Sequence, residues 1–288
     1  MHFEIVDTES AYGRLLDAPD AEAREAIFRE ELVEPFMGLV KVFGGDGMAV
    51  FAQWGMTLDQ FAGDEREEMA ALVEALAEAD AWTRAQGALY QGDQAFAPHA
   101  ERIPLEEVVF GLYLADLSGT PQAHGYTGFG GIPGWIMTVY GSADAYNVER
   151  VEAATVHELH HNVQGALYPR RANMMEVTVG EYIVNEGLAE SFATELYGTA
   201  KAGPWVTGLD ASDVEAVKPL FQEGLTITGF NEVRRYVFGD PDAGLPVYAG
   251  YAVGYRVVRA YLRRTGKSVV EATFVPAEEI IEGSGFFD

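Results

Sequence analysis

The sequence contains no cysteine, which excludes disulfide bonds, a thiol nucleophile and any zinc site built on thiolates. Lysine is also scarce, with only four lysines among the 19 basic residues. Because 45 acidic residues oppose those 19, the formal net charge is −26. So acidic a surface repels phosphate backbones and anionic lipid headgroups. We therefore expect neither a nucleic-acid partner nor a membrane partner.

Long apolar runs are missing as well. No window approaches the roughly 18 consecutive apolar residues that a membrane-spanning helix needs. The first residues, MHFEIVDTES, have neither the basic segment nor the apolar segment of a secretory signal. We therefore expect a cytoplasmic protein. The 288 residues are 48% hydrophobic and 12% aromatic, a composition typical of a packed interior rather than a disordered chain.

The spacing of the apolar residues predicts an α+β protein with three regions. Residues 1–104 have mostly helical spacing, and we treat them as scaffold. Residues 105–200 contain two β-prone runs and the motifs described below, and residues 201–288 return to helical spacing. No repeat or low-complexity linker separates these regions, so we expect them to form one compact unit.

A glycine-rich segment, GYTGFGGIPG at 125–134, lies between the two predicted strands, Val108–Leu114 and Trp135–Tyr140. Its glycines suggest a dinucleotide-binding fingerprint, but the third glycine of that fingerprint is replaced by Pro133. We therefore interpret the segment as a flexible loop that leads into the second strand.

Three histidines occur within five residues, in the sequence HELHH at 157–161. We predict that this sequence lies on a helix over 147–166, with Asn147 as its N-cap. Residues four apart lie on the same face of a helix, so His157 and His161 can both reach one metal ion. Glu158 is then placed to face a metal-bound water without binding the metal. The spacing therefore predicts a catalytic zinc site.

A catalytic zinc ion needs a third protein ligand and one open position. The metzincin arrangement is excluded because Gln164 and Leu167 occupy the positions of its glycine and its third ligand. No histidine follows residue 161, so the third ligand must be a carboxylate.

The sequence NEGLAE at 185–190 supplies the carboxylate, on a helix predicted over 177–197. Glu186 is the leading candidate for the third ligand, while Glu176 and Glu181 remain weaker alternatives. Glu190 lies one turn after Glu186 and suits a supporting role, accepting the outer N–H of a ligating histidine. Asn185 is assigned a similar supporting role.

Three other interpretations compete with a zinc peptidase. A di-iron carboxylate bundle needs a second E-x-x-H sequence, and no other histidine has a glutamate three residues before it. A non-enzymatic protein could use zinc for structure or regulation, but four protein ligands would then close the site. A metal-dependent hydrolase of a small amide or ester would use the same chemistry, so the sequence leaves it open.

HELHH followed by NEGLAE resembles the gluzincin pattern of thermolysin-like peptidases and M1-type aminopeptidases. The chain is still more similar to a bacterial domain-of-unknown-function family described as predicted Zn-dependent proteases. That resemblance covers about residues 105–288, and it also involves GYAVGYRVV at 250–258 and EEIIEGSGFF at 278–287. It implies a zincin-like fold, in which a small sheet with an edge strand lies over two active-site helices, between helical terminal lobes.

The resemblance also implies roles for particular residues. One zinc ion per chain would be bound by His157, His161 and Glu186, with Glu158 as the general base and Glu190 behind a ligand. An edge strand would hold an extended peptide or protein substrate by β-augmentation; its residues here are Trp135, Ile136, Met137, Thr138 and Val139. A donor to the oxyanion is expected too, for which the candidates are Tyr251, Tyr255, His160 and His124.

Overall fold

A computed structural model describes residues 1–119, 124–172 and 175–288. The α+β class is confirmed, with a four-stranded mixed sheet among many helices. The chain divides into two compact units. The first comprises Met1–Gln91 and Leu105–Thr155, and the second comprises Gly92–Pro104 and Val156–Asp288.

The sheet lies in the first unit. Its strands are β1 (His2–Ile5), β2 (Glu107–Leu114), β3 (Tyr126–Phe129) and β4 (Trp135–Tyr140). They are ordered β1-β2-β4-β3, with β1, β2 and β4 parallel and β3 antiparallel to β4. Val109 pairs with Trp135, and Phe129 pairs with Met137. The two predicted central strands are therefore confirmed.

The prediction that Trp135–Val139 forms an edge strand is wrong. These residues belong to β4, which β2 and β3 flank on its two sides. The cause is the glycine-rich segment before it, which we had interpreted as a loop. Tyr126–Phe129 within that segment forms β3 and covers β4 from Met137 onward. All of β4 except Trp135 is buried, as expected for an inner strand.

Helices pack with the sheet to complete the first unit. Thr8 illustrates the packing, since its hydroxyl donates to the Leu112 carbonyl at 2.5 Å and accepts from the Trp82 indole at 2.9 Å. The helices are α1 (Thr8–Asp17), α2 (Ala21–Ile27, continued by a π-helix at Phe28–Val33), α3 (Met37–Phe43), α4 (Gly47–Gln53), α5 (Arg66–Glu78), α6 (Ala81–Phe96, which runs on into the second unit) and α7 (Ala145–Val148).

The helix that carries HELHH begins later than predicted. Asp144 is the N-cap of the short helix α7, and the long helix α8 starts only at Val151. Asn147 therefore does not cap this helix. It is buried inside α7, where its side-chain amide donates to the Ser142 carbonyl at 3.1 Å. Asparagine often caps helices, but the side chain of Asn147 makes a local hydrogen bond here and does not start a helix.

The second unit is helical among the described residues. Its helices are α8 (Val151–Leu167, which begins in the first unit), α9 (Val179–Tyr197), α10 (Pro204–Thr207), α11 (Ala211–Gly224), α12 (Phe230–Phe238), α13 (Ala249–Thr265), α14 (Val269–Ala272) and α15 (Ala277–Ser284). Helix α9 is central and buried over most of its length, and it packs against α12, α13, α14 and α15. A capping box of Thr178 and Glu181 begins it, and Gly198 ends it.

Two glycines allow α9 and α13 to cross closely. A β-carbon on Gly187 would lie 2.2 Å from the Gly254 carbonyl oxygen, and one on Gly254 would lie 1.9 Å from the Ile183 carbonyl oxygen. Neither position can therefore hold a larger residue without moving a backbone. The crossing fixes the turn of α9 that carries Glu186.

Among the described residues, no single helix is long and apolar enough to cross a bilayer. One pair of helical segments, Ala21–Phe43 and Gly47–Gln53, has the length and the apolar composition of a membrane span when taken together. The pair is bent by 82° at the break between the two segments.

Candidate metal centre

Helix α8 places His157 and His161 on one face, as the i, i+4 spacing predicts. Both side chains are buried, and their Nε2 atoms lie 3.0 Å apart. Two imidazole nitrogens at this distance can reach one ion. The neighbouring helix α9 contributes Glu186, whose Oε2 lies 3.2 Å from His161 Nε2 and 3.4 Å from His157 Nε2.

These three atoms form a group that could hold a metal ion, because ligand atoms of all three residues lie within 4.8 Å of one another. A tetrahedral ion with bonds of about 2.0–2.1 Å separates its ligand atoms by roughly 3.3 Å. The separations of 3.0, 3.2 and 3.4 Å in this chain fit that size. The donor set of two histidines and one carboxylate is also one that catalytic zinc sites use.

The electrostatics of the group favour a bound cation. Burial alone would raise the pKa of Glu186, but the charge of His161 and hydrogen bonds from both histidines lower it to about 2. Burial alone would lower the pKa of His157, yet hydrogen bonds to Glu186 and Glu190 raise it well above its usual value. The Glu186 carboxylate therefore stays ionised and attracts positive charge to the ring nitrogens.

Glu190 has the supporting geometry that the sequence predicts. Its Oε2 lies 3.1 Å from His157 Nδ1. With that nitrogen donating to Glu190, the Nε2 lone pair of His157 is left to face the site. Two further donors hold the carboxylate: the Gly203 backbone N–H at 2.7 Å and the Trp205 indole N–H at 2.8 Å.

Glu158 is buried beside the same group. Burial raises its pKa; the two neighbouring histidines oppose this effect, while Glu186 and Glu190 reinforce it. Glu158 does not belong to the candidate metal group, which consists of His157, His161 and Glu186. Glu158 thus lies beside the group and not in it, and its role as the general base stays a prediction.

The supporting role of Asn185 stays a prediction. Among the described residues, its buried Oδ1 has no hydrogen-bond partner. His161 Nδ1 likewise has none within the described ranges. The outer nitrogens of the two histidines therefore differ, because Glu190 holds only that of His157.

The two predicted tyrosines occupy different positions on α13. Tyr251 lies near the candidate ligands: its ring centroid is 6.3 Å from that of Trp205, which is 5.8 Å from that of His157. Burial and the nearby negative charge of Glu186 raise its pKa well above the usual value. Tyr255 is one turn further on, with its hydroxyl 3.4 Å from that of Thr194.

Sequence reasoning missed Tyr182 and Trp205. Tyr182 lies one turn before Glu186 on α9, where burial and the charge of Glu186 raise its pKa. Its spacing of four from Glu186 could have identified it. Trp205 sits beyond the end of α9 in a segment with no motif, so no sequence signal pointed to its bond with Glu190.

The other candidates have local roles. His160 is buried with its Nε2 3.0 Å from the Thr273 hydroxyl, which favours a packing role. Glu181 caps α9 and pairs with Arg170, so it is not placed as a ligand. In the first unit, the His124 ring lies 5.7 Å from the Tyr146 ring, and its role as an oxyanion donor stays a prediction. Because β2 and β3 pair with Met137–Val139 on both sides, the β-augmentation predicted for Trp135–Val139 has no open strand edge there.

Comparison with known proteins gives one family and two relatives. Residues 81–282 match the family DUF2268, described as predicted Zn-dependent protease. The chain is 43% identical over 194 residues to the uncharacterized protein YjfC of Bacillus subtilis (strain 168). The aligned residues cover 65% of this chain and 64% of that protein. The chain is 27% identical over 139 residues to the uncharacterized protein YjaZ of the same strain, 46% of this chain and 50% of that protein. It thus spans 64% and 50% of the lengths of these relatives. No solved structure gives a significant match.

Proposed function

This chain belongs to the family described as predicted Zn-dependent proteases, and on that premise we propose that it is a zinc-dependent metallopeptidase of the gluzincin type. The observation that carries the proposal is the meeting of His157, His161 and Glu186 within 4.8 Å. These residues would hold one zinc ion per chain, and a peptide or protein would be the substrate. The buried Glu158 beside them is the proposed general base.

A zinc ion held there would supply a Lewis acid that makes water more acidic and polarises the scissile carbonyl. The chain's own groups would do the rest. The Glu158 carboxylate would accept a proton from the attacking water and pass it to the nitrogen of the leaving amine. Glu190 would keep His157 in the tautomer that presents Nε2.

A zinc site of purely structural or regulatory use is less consistent with this arrangement. Such a site is closed by four protein ligands, whereas the metal group among the described residues has three members. A structural site would also have no use for the buried carboxylate of Glu158, which costs free energy to desolvate. A hydrolase of small amides or esters would share every residue role given above.

Metal content and peptide cleavage test the proposal together. We expect about one zinc per purified chain by elemental analysis, and cleavage of a mixed peptide library that stops when a chelator removes the metal. Zinc added back should restore cleavage. A chain that binds zinc but cleaves no peptide, with or without added metal, would contradict the peptidase function.

The variant Glu158→Gln separates the base from the ligands. It should keep about one zinc per chain and lose roughly 100- to 10,000-fold in kcat, because an amide cannot accept the water proton. Loss of zinc from this variant would make Glu158 a ligand. Activity at the wild-type level would exclude it as the base.

A further inference from the structure

Arg234 is an exposed cation on α12 in a chain of net charge −26. Its guanidinium carbon lies over two aromatic rings, 5.3 Å from the centre of Phe230 and 5.0 Å from the centre of Phe238. Those residues are one helical turn before and after it. Cation–π contacts on both sides hold the guanidinium in place on the helix surface.

An aromatic row leads from Arg234 to the candidate metal centre. The Phe238 ring lies 5.9 Å from the Tyr251 ring, which lies 6.3 Å from Trp205, the neighbour of His157. Helix α12 packs against both α9 and α13, the helices that carry Glu186 and Tyr251. The positive charge of Arg234 also opposes the rise in the pKa of Tyr182, which lies one turn before Glu186 on α9. Arg234 therefore lies on the side of the second unit that holds the metal group.

Arg234 differs from its neighbour in its partners. Arg235 pairs with Asp240 at 2.6 Å and with Glu232 at 2.9 Å. Within the described ranges, no carboxylate forms an ion pair with Arg234. In so acidic a chain, an exposed guanidinium held on two rings but bound to no acid is available for an external carboxylate.

We infer that Arg234 binds a carboxylate of the substrate, so that the site prefers peptides with an acidic side chain or a free C-terminus. This inference rests on the proposed function. A guanidinium binds a carboxylate through two parallel N–H···O bonds, which a neutral amide cannot match. The rings of Phe230 and Phe238 would reduce the entropy lost when Arg234 is ordered by substrate. Arg234 would thus determine specificity without taking part in bond cleavage.

Equilibrium binding tests this role without requiring turnover. The protein is the full zinc-loaded chain carrying Glu158→Gln. The probes are acetylated hexapeptides of alanine, leucine and phenylalanine with one glutamate at each position in turn, each matched by the same peptide with glutamine. At the best position, we expect the glutamate peptide to bind about 10- to 100-fold more tightly, the range of a charge-assisted hydrogen-bonded pair.

Two variants in the same background assign the preference to one residue. Arg234→Gln should bring the affinity ratio close to one, whereas the matched control Arg235→Gln should keep it. Arg234→Glu should reverse the preference toward peptides that carry lysine, an effect that loss of packing would not produce. Equal affinities both of the glutamate and glutamine peptides and of the free-acid and amidated peptides, no binding of any peptide, or the same loss of preference in Arg235→Gln would overturn the inference.

Repeating the series with free and amidated C-termini distinguishes the two carboxylates. A preference for the free acid over the amide, without one for glutamate, assigns Arg234 to the peptide C-terminus. A preference for glutamate that persists in the amides assigns it to an acidic side chain. Either result supports the inference. If the binding preference is found but the wild-type chain cleaves no peptide, only the proposed peptidase function is contradicted. The failure of this inference and the failure of the proposed function are therefore distinguishable.

Discussion

The sheet of the first unit and the paired helices α8 and α9 bury side chains of opposite character. Strand β2 buries apolar or aromatic residues such as Val108, Phe110 and Leu112. The two helices bury ionisable and amide side chains, namely His157, Glu158, His160, His161, Asn162, Gln164, Glu186 and Glu190. Only the second region buries charged groups, and removing these groups from water costs free energy.

The difference indicates which region the fold uses for stability and which for the candidate metal group. Apolar burial in the sheet gains about 25 cal/mol per Å² removed from water. Burying an ionised carboxylate costs free energy unless partners compensate for it. Glu186 and Glu190 have such partners in His157, His161, Gly203 and Trp205. We therefore expect mutations in the sheet to change stability, and mutations beside the histidines to change metal affinity.

The largest effect should come from Phe110→Ala in β2. This ring is 1% exposed, so its removal leaves a cavity and should lower the free energy of unfolding by about 3–5 kcal/mol. The folded fraction should still bind one zinc per chain. Denaturant unfolding and elemental analysis would measure the two quantities. The control Val109→Ala, on the half-buried neighbouring position, should cost about 1 kcal/mol or less.

A folded Phe110→Ala variant that has lost its zinc would break the comparison, because stability and metal binding would then not be separable by region. A free energy of unfolding equal to the wild-type value would contradict the role given to the sheet core.

The metal group was predictable from the sequence because its rule is local. The i, i+4 rule for His157 and His161 depends only on helix geometry, and a second helix carrying Glu186 was enough to complete the set. The bounds of α9 were also predicted within two residues at its start, since Thr178 and Gly198 cap it. Local signals of this kind survive folding because neighbouring residues supply their partners.

The features that the sequence failed to predict depend on contacts between distant segments. Whether Trp135–Val139 is an edge or an inner strand depends on whether Tyr126–Phe129 pairs with it. The glycines at 128 and 130 made Tyr126–Phe129 resemble part of a loop. The contact of Gly187 with Gly254 joins positions 67 residues apart, counting 254 minus 187. No helical or strand periodicity contains such information.

A smaller effect is expected from Glu190→Ala on α9. His157 Nδ1 would lose its acceptor, so zinc affinity should fall about 10- to 100-fold. Competition with a coloured chelator would measure the change. The control Glu195→Ala removes an exposed carboxylate one turn further along the same helix and should leave the affinity unchanged. Equal affinities of the Glu190→Ala variant and the wild type would remove Glu190 from the metal centre.

The smallest effect should come from Trp205→Phe, which tests how Glu190 itself is held. Phenylalanine can keep the edge-to-face contact with His157, now at 5.8 Å between ring centres, but it lacks the indole N–H that donates to Glu190 at 2.8 Å. Glu190 would retain the Gly203 N–H and His157 Nδ1 as donors. Losing one of three hydrogen bonds should cost about 1 kcal/mol, which corresponds to a roughly fivefold weaker zinc affinity. The same chelator competition measures it. If Trp205→Phe weakened zinc binding as much as Glu190→Ala does, the indole would position the Glu190 carboxylate almost alone. The hydrogen bond between Glu190 and His157 would then depend on the indole.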